Sequence, residues 1–242
     1  MSEAPDLSII IRIEKLMRQG EDPGCSPEER EAFQAKAAEL VERYRIDRSL
    51  IGGHLDSDDV INTVVVGKFD GVYGRVRIDV VNAVAAAYDC KVFWQGYKNY
   101  RTLKCYGFKS DTDIVVALGN RLLADADLRV DCMRGYDVKA TLNARRGFYM
   151  GYASAVSERL RQARRVVRET MQAEGTDVQS AALVLVDRKR QVHDQYLAEH
   201  GRMRHAGGVQ GAYAGHAEGR QAGSQVSLAV QNQVGGRKAL GR

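Results

Sequence analysis

CKVFWQGYKNYRTLKCYGF, residues 90–108, decides how the rest of the chain is read. Two alternating runs, Cys90–Gln95 and Arg101–Gly107, flank the turn-forming segment Gly96–Tyr97–Lys98–Asn99. That pattern predicts an antiparallel β-hairpin. Alternation puts Val92, Trp94, Leu103 and Cys105 on one face, which reads as a core face. Lys91, Phe93, Lys104 and Tyr106 fall on the other. From Lys91 to Lys109 the chain carries Lys91, Lys98, Arg101, Lys104 and Lys109, with no Asp or Glu between them. The same stretch holds Phe93, Trp94, Tyr97, Tyr100, Tyr106 and Phe108, including the single Trp of the chain. Cations beside flat rings can neutralise phosphates and stack bases, each stacked base contributing roughly 1–3 kcal/mol. The competing reading is a packed hairpin whose rings are cross-strand pairs and whose lysines protect a sheet edge.

Upstream of the hairpin, Val60–Val66 is β-branched and predicts a strand. Tyr73–Tyr88 follows as a helix with Val76, Val80, Val84 and Ala87 inward. Downstream, Ser110 and two early aspartates mark the start of a helix over Asp111–Ala126. Residues 127–140 read as polar and irregular. A long helix spans Thr141–Ala173, with Phe148, Tyr152, Ala155, Leu160, Ala163 and Val167 as its buried stripe. Ala182–Val186 reads as a compact strand and Arg188–His200 as a further helix. The stretch from Ala206 is rich in Gly and Gln and reads as loosely ordered or peripheral.

The N-terminal part reads as a helical hairpin. Ile9, Ile10, Ile13, Leu16 and Met17 recur at helical spacing, and Gly20–Gly24 with Pro23 breaks the pattern. Ser26 as N-cap, Pro27 at the first helical position and Glu29 form a capping box. Phe33, Ala37, Leu40, Val41 and Tyr44 then make an inner face. Ile51–Asp59, with paired glycines and acidic residues, reads as a linker. The expected architecture is α+β. An αα-hairpin domain (1–50) precedes an α+β domain (60–200) with a small mixed or antiparallel sheet and a long C-terminal helix. A Gly-rich tail (206–242) ends the chain.

The capped second helix, the run GFYMGYASAVSERL (147–160), ALVLVDR (182–188) and the closing RKALGR (237–242) together resemble one family. It comprises phage and actinobacterial proteins that carry domain of unknown function 2786 at the N-terminus. Its hairpin has the form K-x-x-x-L-x-x, a gap, then E-A-x-x-A-x-x-x-A-x-x-L, ahead of a larger α+β domain. Arg12–Arg43 corresponds to the hairpin and Val60–Arg190 to the α+β part. Gln34 departs from the pattern, standing where a small residue is common. The resemblance implies a phage or mobile-element setting and carries no catalytic residue over.

The chain has 242 residues, 44% hydrophobic and 28% charged. That excludes collagen-like, low-complexity and disordered acidic classes. No apolar run approaches the ~18 residues of a membrane span. Glu3, Asp6 and Arg12 argue against a secretory signal. Cys25, Cys90, Cys105 and Cys132 form no CxxC pair and no zinc-like spacing. They read as free thiols suited to a reducing cytoplasm, the host cytoplasm if the protein is phage-encoded.

The net charge of +5 is uneven. From Arg145 onward there are 16 basic and 8 acidic residues, against 20 and 23 before it. A basic half suggests a polyanion partner. Arg159, Arg161, Arg164, Arg165 and Arg168 concentrate it on one helix. Arg161, Arg165 and Arg168 share a face with Arg164 beside them, a row able to contact successive phosphates. A solvated face, or ion pairs to the acidic half, is the alternative.

Gly211, Gly215, Gly219 and Gly223 recur every fourth residue and suit close packing on a partner. No phosphate-binding loop or dinucleotide fingerprint is present. His193 and His200 lie two helical turns apart, too far to hold one metal without a third element such as Asp194 or Glu199. Asp111 and Asp113, with Asp79 or Asp187, would serve a metal-dependent nuclease.

The leading expectation is a non-enzymatic, nucleic-acid-associated accessory protein of phage or mobile-element type. Its binding residues would be Lys91, Phe93, Tyr97, Lys98, Tyr100, Arg101, Lys104 and Tyr106 of the hairpin, with Arg161, Arg164, Arg165 and Arg168 of the helix. No cofactor, metal or membrane partner is expected. The alternatives are a protein-interaction factor that modulates a host or phage protein, and the nuclease.

Overall fold

The computed structural model describes residues 59–97, 100–173, 178–202, 214–226 and 228, with isolated positions 26, 29, 32, 36, 39 and 40. The N-terminal hairpin otherwise lies outside the described residues. Its capping box does not. The Glu29 N–H donates to Ser26 Oγ (3.2 Å), and the Ser26 N–H donates to Glu29 Oε2 (3.0 Å). Those bonds hold the Glu29 carboxyl below its ordinary value.

The described chain runs β1 (Ile61–Lys68), α1 (Gly74–Ala87), β2 (Lys91–Tyr97), β3 (Tyr100–Phe108), α2 (Lys109–Asp131), α3 (Val138–Ala173), α4 (Val178–His200) and α5 (His216–Gln225). The architecture is α+β. The three strands lie in the order β1-β3-β2, and both β1 and β2 are antiparallel to β3. β1 and β2 are therefore parallel, joined by α1 and split by β3.

The hairpin register pairs Lys91 with Tyr106, Val92 with Cys105, Phe93 with Lys104 and Trp94 with Leu103. Gly96 is required at the turn. Its φ is +142°, and a Cβ there would strike the Tyr100 carbonyl. As the alternation predicts, Leu103 and Cys105 are fully buried and Val92 and Trp94 pack on the same core. Across the sheet from them, α1 contributes Val76, Val80, Val81, Val84 and Ala85, and α2 contributes Val115, Leu118, Leu122 and Ala126. The Arg75 guanidinium lies 5.3 Å over the Trp94 ring. Cys90 and Cys105 are buried free thiols and Cys132 is an exposed one.

Behind α1 and α2 lies α3, whose Phe148, Tyr149, Tyr152 and Val156 enter the core. Two tyrosine hydroxyls fix it to α2. Tyr149 donates to Asp127 (2.6 Å) and Tyr152 to Asp125 (2.9 Å). Arg77 from α1 completes the first pair with a two-point contact to Asp127. Burial, then these carboxylates, push both phenols well above the ordinary tyrosine value.

Three expectations change. Residues 127–131 continue α2, because Val130 extends the stripe of Leu118, Leu122 and Ala126 into the core. Ala182–Val186 is helical and belongs to α4. A short apolar run suits a strand or a buried helix equally. Among the described side chains, Leu185 and Val192, seven apart, are buried, while Leu183 and Val186 face solvent.

The third change concerns the Gly-rich end. Residues 216–225 form α5, packed on α3, and Ala222, Val226 and Leu228 join the main core. The glycine period is what permits this. A Cβ at Gly219 would strike the Phe148 backbone, and one at Gly151 the His216 carbonyl. Two helices meet backbone to backbone where neither carries a side chain. Gly211 lies outside the described residues.

Candidate functional site

The hairpin face expected to carry exposed bases and rings is partly roofed by α4. Phe93 and Tyr106 are 4% and 1% exposed and pack with Phe108, Val192 and Tyr196. The rings of Phe93, Tyr106 and Tyr196 surround His200, with centroid separations of 4.8, 5.5 and 5.0 Å. The Tyr106 hydroxyl donates to Glu199 at 2.9 Å. Burial, then this carboxylate, push the phenol up to about 12. Neither Phe93 nor Tyr106 can stack on a base while α4 stays in place. The physical reason is simple: α4 carries an apolar stripe and needs a surface to bury it, and these two rings provide one.

Lys91 and Lys104 are half-buried beside that roof. Tyr97 and Tyr100, paired across the hairpin end, are 74% and 73% exposed. Arg101 is half-buried, and its backbone is tied to the β1–α1 turn. Its N–H donates to Asp70 (3.0 Å), and its carbonyl accepts from the Phe69 N–H (2.7 Å). Lys98 lies outside the described residues.

The arginine row behaves differently. Arg161, Arg164, Arg165 and Arg168 of α3 line a single cleft of about 410 Å³ against α4, together with Lys189, Gln172, Asp89 and Glu169. Leu185 and Val186 add an apolar wall. Among the described residues, five cations thus face one concavity that holds two carboxylates. Arg164 reaches Asp89 at 3.5 Å and donates to the Ala87 carbonyl. Lys189 approaches the other Asp89 oxygen at 3.5 Å. Arg165 pairs loosely with Glu169 at 3.6 Å, and Arg161 donates to its own helix at the Ser157 carbonyl. Arg159 is turned away. It donates to the Gly223 and Val226 carbonyls and so caps the C-terminal end of α5.

The hairpin end and the cleft do not merge. The cleft includes Asp89, just before β2, whereas Tyr97 closes β2 at its far end. At ~3.3 Å per residue, six strand residues separate the start of β2 from Tyr97 by about 20 Å. Lys91 is the hairpin cation nearest the cleft along the chain. Lys189 of α4 and Asp89 of the α1–β2 turn escape sequence reasoning because they come from other elements, and only tertiary packing brings them to the arginines, whereas Gln172 lies on α3 itself, one turn beyond Arg168.

Among the described residues, no group of three His, Cys, Asp or Glu side chains is placed to hold a metal ion. The aspartates of the nuclease reading stand on separate tasks. Asp111 pairs with Arg188 (3.2 Å), Asp113 with Lys109 (2.8 Å), Asp79 with Arg75 (2.5 Å), and Asp187 accepts from Gln191 (2.7 Å). Among the described residues no helix is long and apolar enough to cross a membrane.

Residues 8–48 match the family model described as "Protein of unknown function (DUF2786)". The match spans the segment read from sequence as a helical hairpin. No curated protein and no solved structure matches the chain.

Proposed function

We propose that this is a non-enzymatic, nucleic-acid-associated accessory protein of phage or mobile-element type, whose α3–α4 cleft binds the phosphate backbone of a single strand. The carrying observation is the convergence of Arg161, Arg164, Arg165, Arg168 and Lys189 on one concavity. Guanidiniums present planar forks matched to phosphate oxygens, so four of them favour a phosphodiester over a lone carboxylate. A concave site between two helices admits a flexible strand, whereas a rigid duplex could touch only its rim. The exposed Tyr97–Tyr100 pair, about 20 Å along β2 from the strand end beside the cleft by the strand rise, offers a stacking platform.

The protein-interaction alternative rested partly on the periodic glycines. Gly219 and Gly223 are engaged with α3 in this chain itself, which removes that support.

The test is fluorescence polarisation with a labelled oligothymidylate across a salt series. Binding is expected to weaken steeply with salt, with a log–log slope of about −0.7 per phosphate neutralised. The double variant R161A/R165A should lose most of it. Equal binding by that variant and the unaltered chain would remove the cleft from the reading.

A further inference from the structure

Asp89 lies between two of the cleft's cations, Arg164 and Lys189, and is an unusual residue for that place. It is the only non-glycine residue with positive φ among the described residues, at +58°. It sits in the short turn between α1 and β2, with its carboxylate largely buried. One carboxylate oxygen faces Arg164 of α3 and the other faces Lys189 of α4, each at 3.5 Å. Charge-assisted bonds settle at ~2.7–2.9 Å, so both contacts are loose. Arg164 does not depend on Asp89 for its position, because it also donates to the Ala87 carbonyl.

We infer that Asp89 is a resident competitor for the phosphate, occupying the anion position between Arg164 and Lys189 and setting how tightly the cleft holds a strand. This rests on the reading of the cleft as a phosphate-backbone site. A carboxylate bridging the two helices neutralises part of their charge while no strand is present. An incoming phosphodiester displaces it first from Lys189, whose side chain is 65% exposed and therefore free to swing. Asp89 thereby lowers affinity for isolated anions. A strand that engages Arg161, Arg165 and Arg168 at the same time can still outcompete it. Asp and Asn tolerate the left-handed backbone better than most residues, so the charge can be removed without straining the turn.

The experiment compares the full-length chain with D89N, D89G and E169Q, using the labelled oligothymidylate between about 50 and 200 mM salt. D89N should bind roughly threefold to tenfold tighter, as expected for removing one charge several ångströms from a phosphate. Its salt slope should steepen by about 0.7, the signature of one more phosphate contact. D89G keeps the positive φ by a different route and should reproduce both changes. E169Q removes a charge from the same cleft at an exposed position and should shift affinity less. Unchanged or weaker binding by D89N and D89G would overturn the inference, making Asp89 a strut that builds the cleft. An equal gain from E169Q would overturn it too, because the effect would then be general charge. If R161A/R165A weakens binding while D89N does not tighten it, only the role of Asp89 falls. If neither the unaltered chain nor D89N binds, the cleft reading falls with it.

Discussion

Asp59 and Arg188, 129 residues apart, close an ion pair of 2.9 Å between the entry to β1 and the first half of α4. Asp59 also takes both polar groups of Ser110, the N–H at 2.9 Å and the hydroxyl at 2.8 Å. It thereby caps α2 from outside that helix. Asp111 shares the guanidinium at 3.2 Å, and the Phe108 ring lies beneath it with its centroid 3.8 Å away. One buried carboxylate therefore ties together the sheet, α2 and α4. It also helps to hold α4 in the position that forms one wall of the arginine cleft.

Removing one partner should be costly. R188A leaves Asp59 and Asp111 buried without their cation, and D59A leaves the cap of α2 unmade. Each should lower stability by about 3–5 kcal/mol, the usual cost of breaking a buried pair. Urea denaturation measures it. A loss below about 1 kcal/mol would mean that the pair is held only loosely.

The same carboxylate should appear in the acid limb of stability. Burial raises the Asp59 value, but the hydrogen bonds from Ser110 and the Arg188 charge outweigh it and leave it lowered. A depressed carboxylate contributes stability that is present above its unfolded value, about 3.9. That contribution is lost as pH falls through the folded value. Denaturation midpoints should therefore drop below about pH 4, and D59N should flatten that drop.

At the alkaline end, Tyr106 moves the other way. Its phenol is pushed up to about 12 by burial and by Glu199. The fold keeps it neutral, so its contribution is whole below the unfolded value of about 10 and is lost as pH rises toward 12. Tyr149 and Tyr152 are held back as well, so ultraviolet titration should show several late-ionising phenols, of which Y106F removes one. Ionisation of every tyrosine near pH 10 would contradict the burial of Tyr106 under α4.

Gly219→Ala should loosen α5 from α3. The added methyl meets the Phe148 backbone, which cannot swing aside. Overpacking of this kind costs about 1–3 kcal/mol, more than the helix propensity gained from Ala. Thermal melting and limited proteolysis read it, with cleavage expected near the C-terminal end before global unfolding.

If one strand engages both the cleft and Tyr97–Tyr100, binding should depend on length. A span of about 20 Å corresponds to roughly six nucleotides at ~3.4 Å each. The variant Y97A/Y100A should weaken long oligomers by about 1–3 kcal/mol per lost stack and leave shorter ones unaffected. A length-independent loss would place the tyrosines beside the cleft's own ligand.

The parts legible in sequence are those written as local period. Val92, Trp94, Leu103 and Cys105 alternate, and the hairpin faces follow from that. Ser26 and Glu29 stand three apart and close a capping box. Phe148, Tyr152 and Leu160 trace the buried side of α3. Less legible was Ala182–Val186, where the run is too short to tell strand from helix. Residues 127–131 were hidden in the same way, since Asp127, Arg129 and Asp131 masked the stripe that Val130 continues.

The arginines and the aromatic hairpin were visible as separate features, but their placement was not. Periodicity states which side of an element seeks a core, because burying apolar area lowers free energy whatever partner supplies it. It does not state the partner. Only tertiary packing laid α4 over Phe93 and Tyr106, turned Arg159 toward α5, and set Lys189 and Asp89 among the remaining arginines. Those contacts join residues far apart in the chain, and their free energy depends on the whole core closing at once.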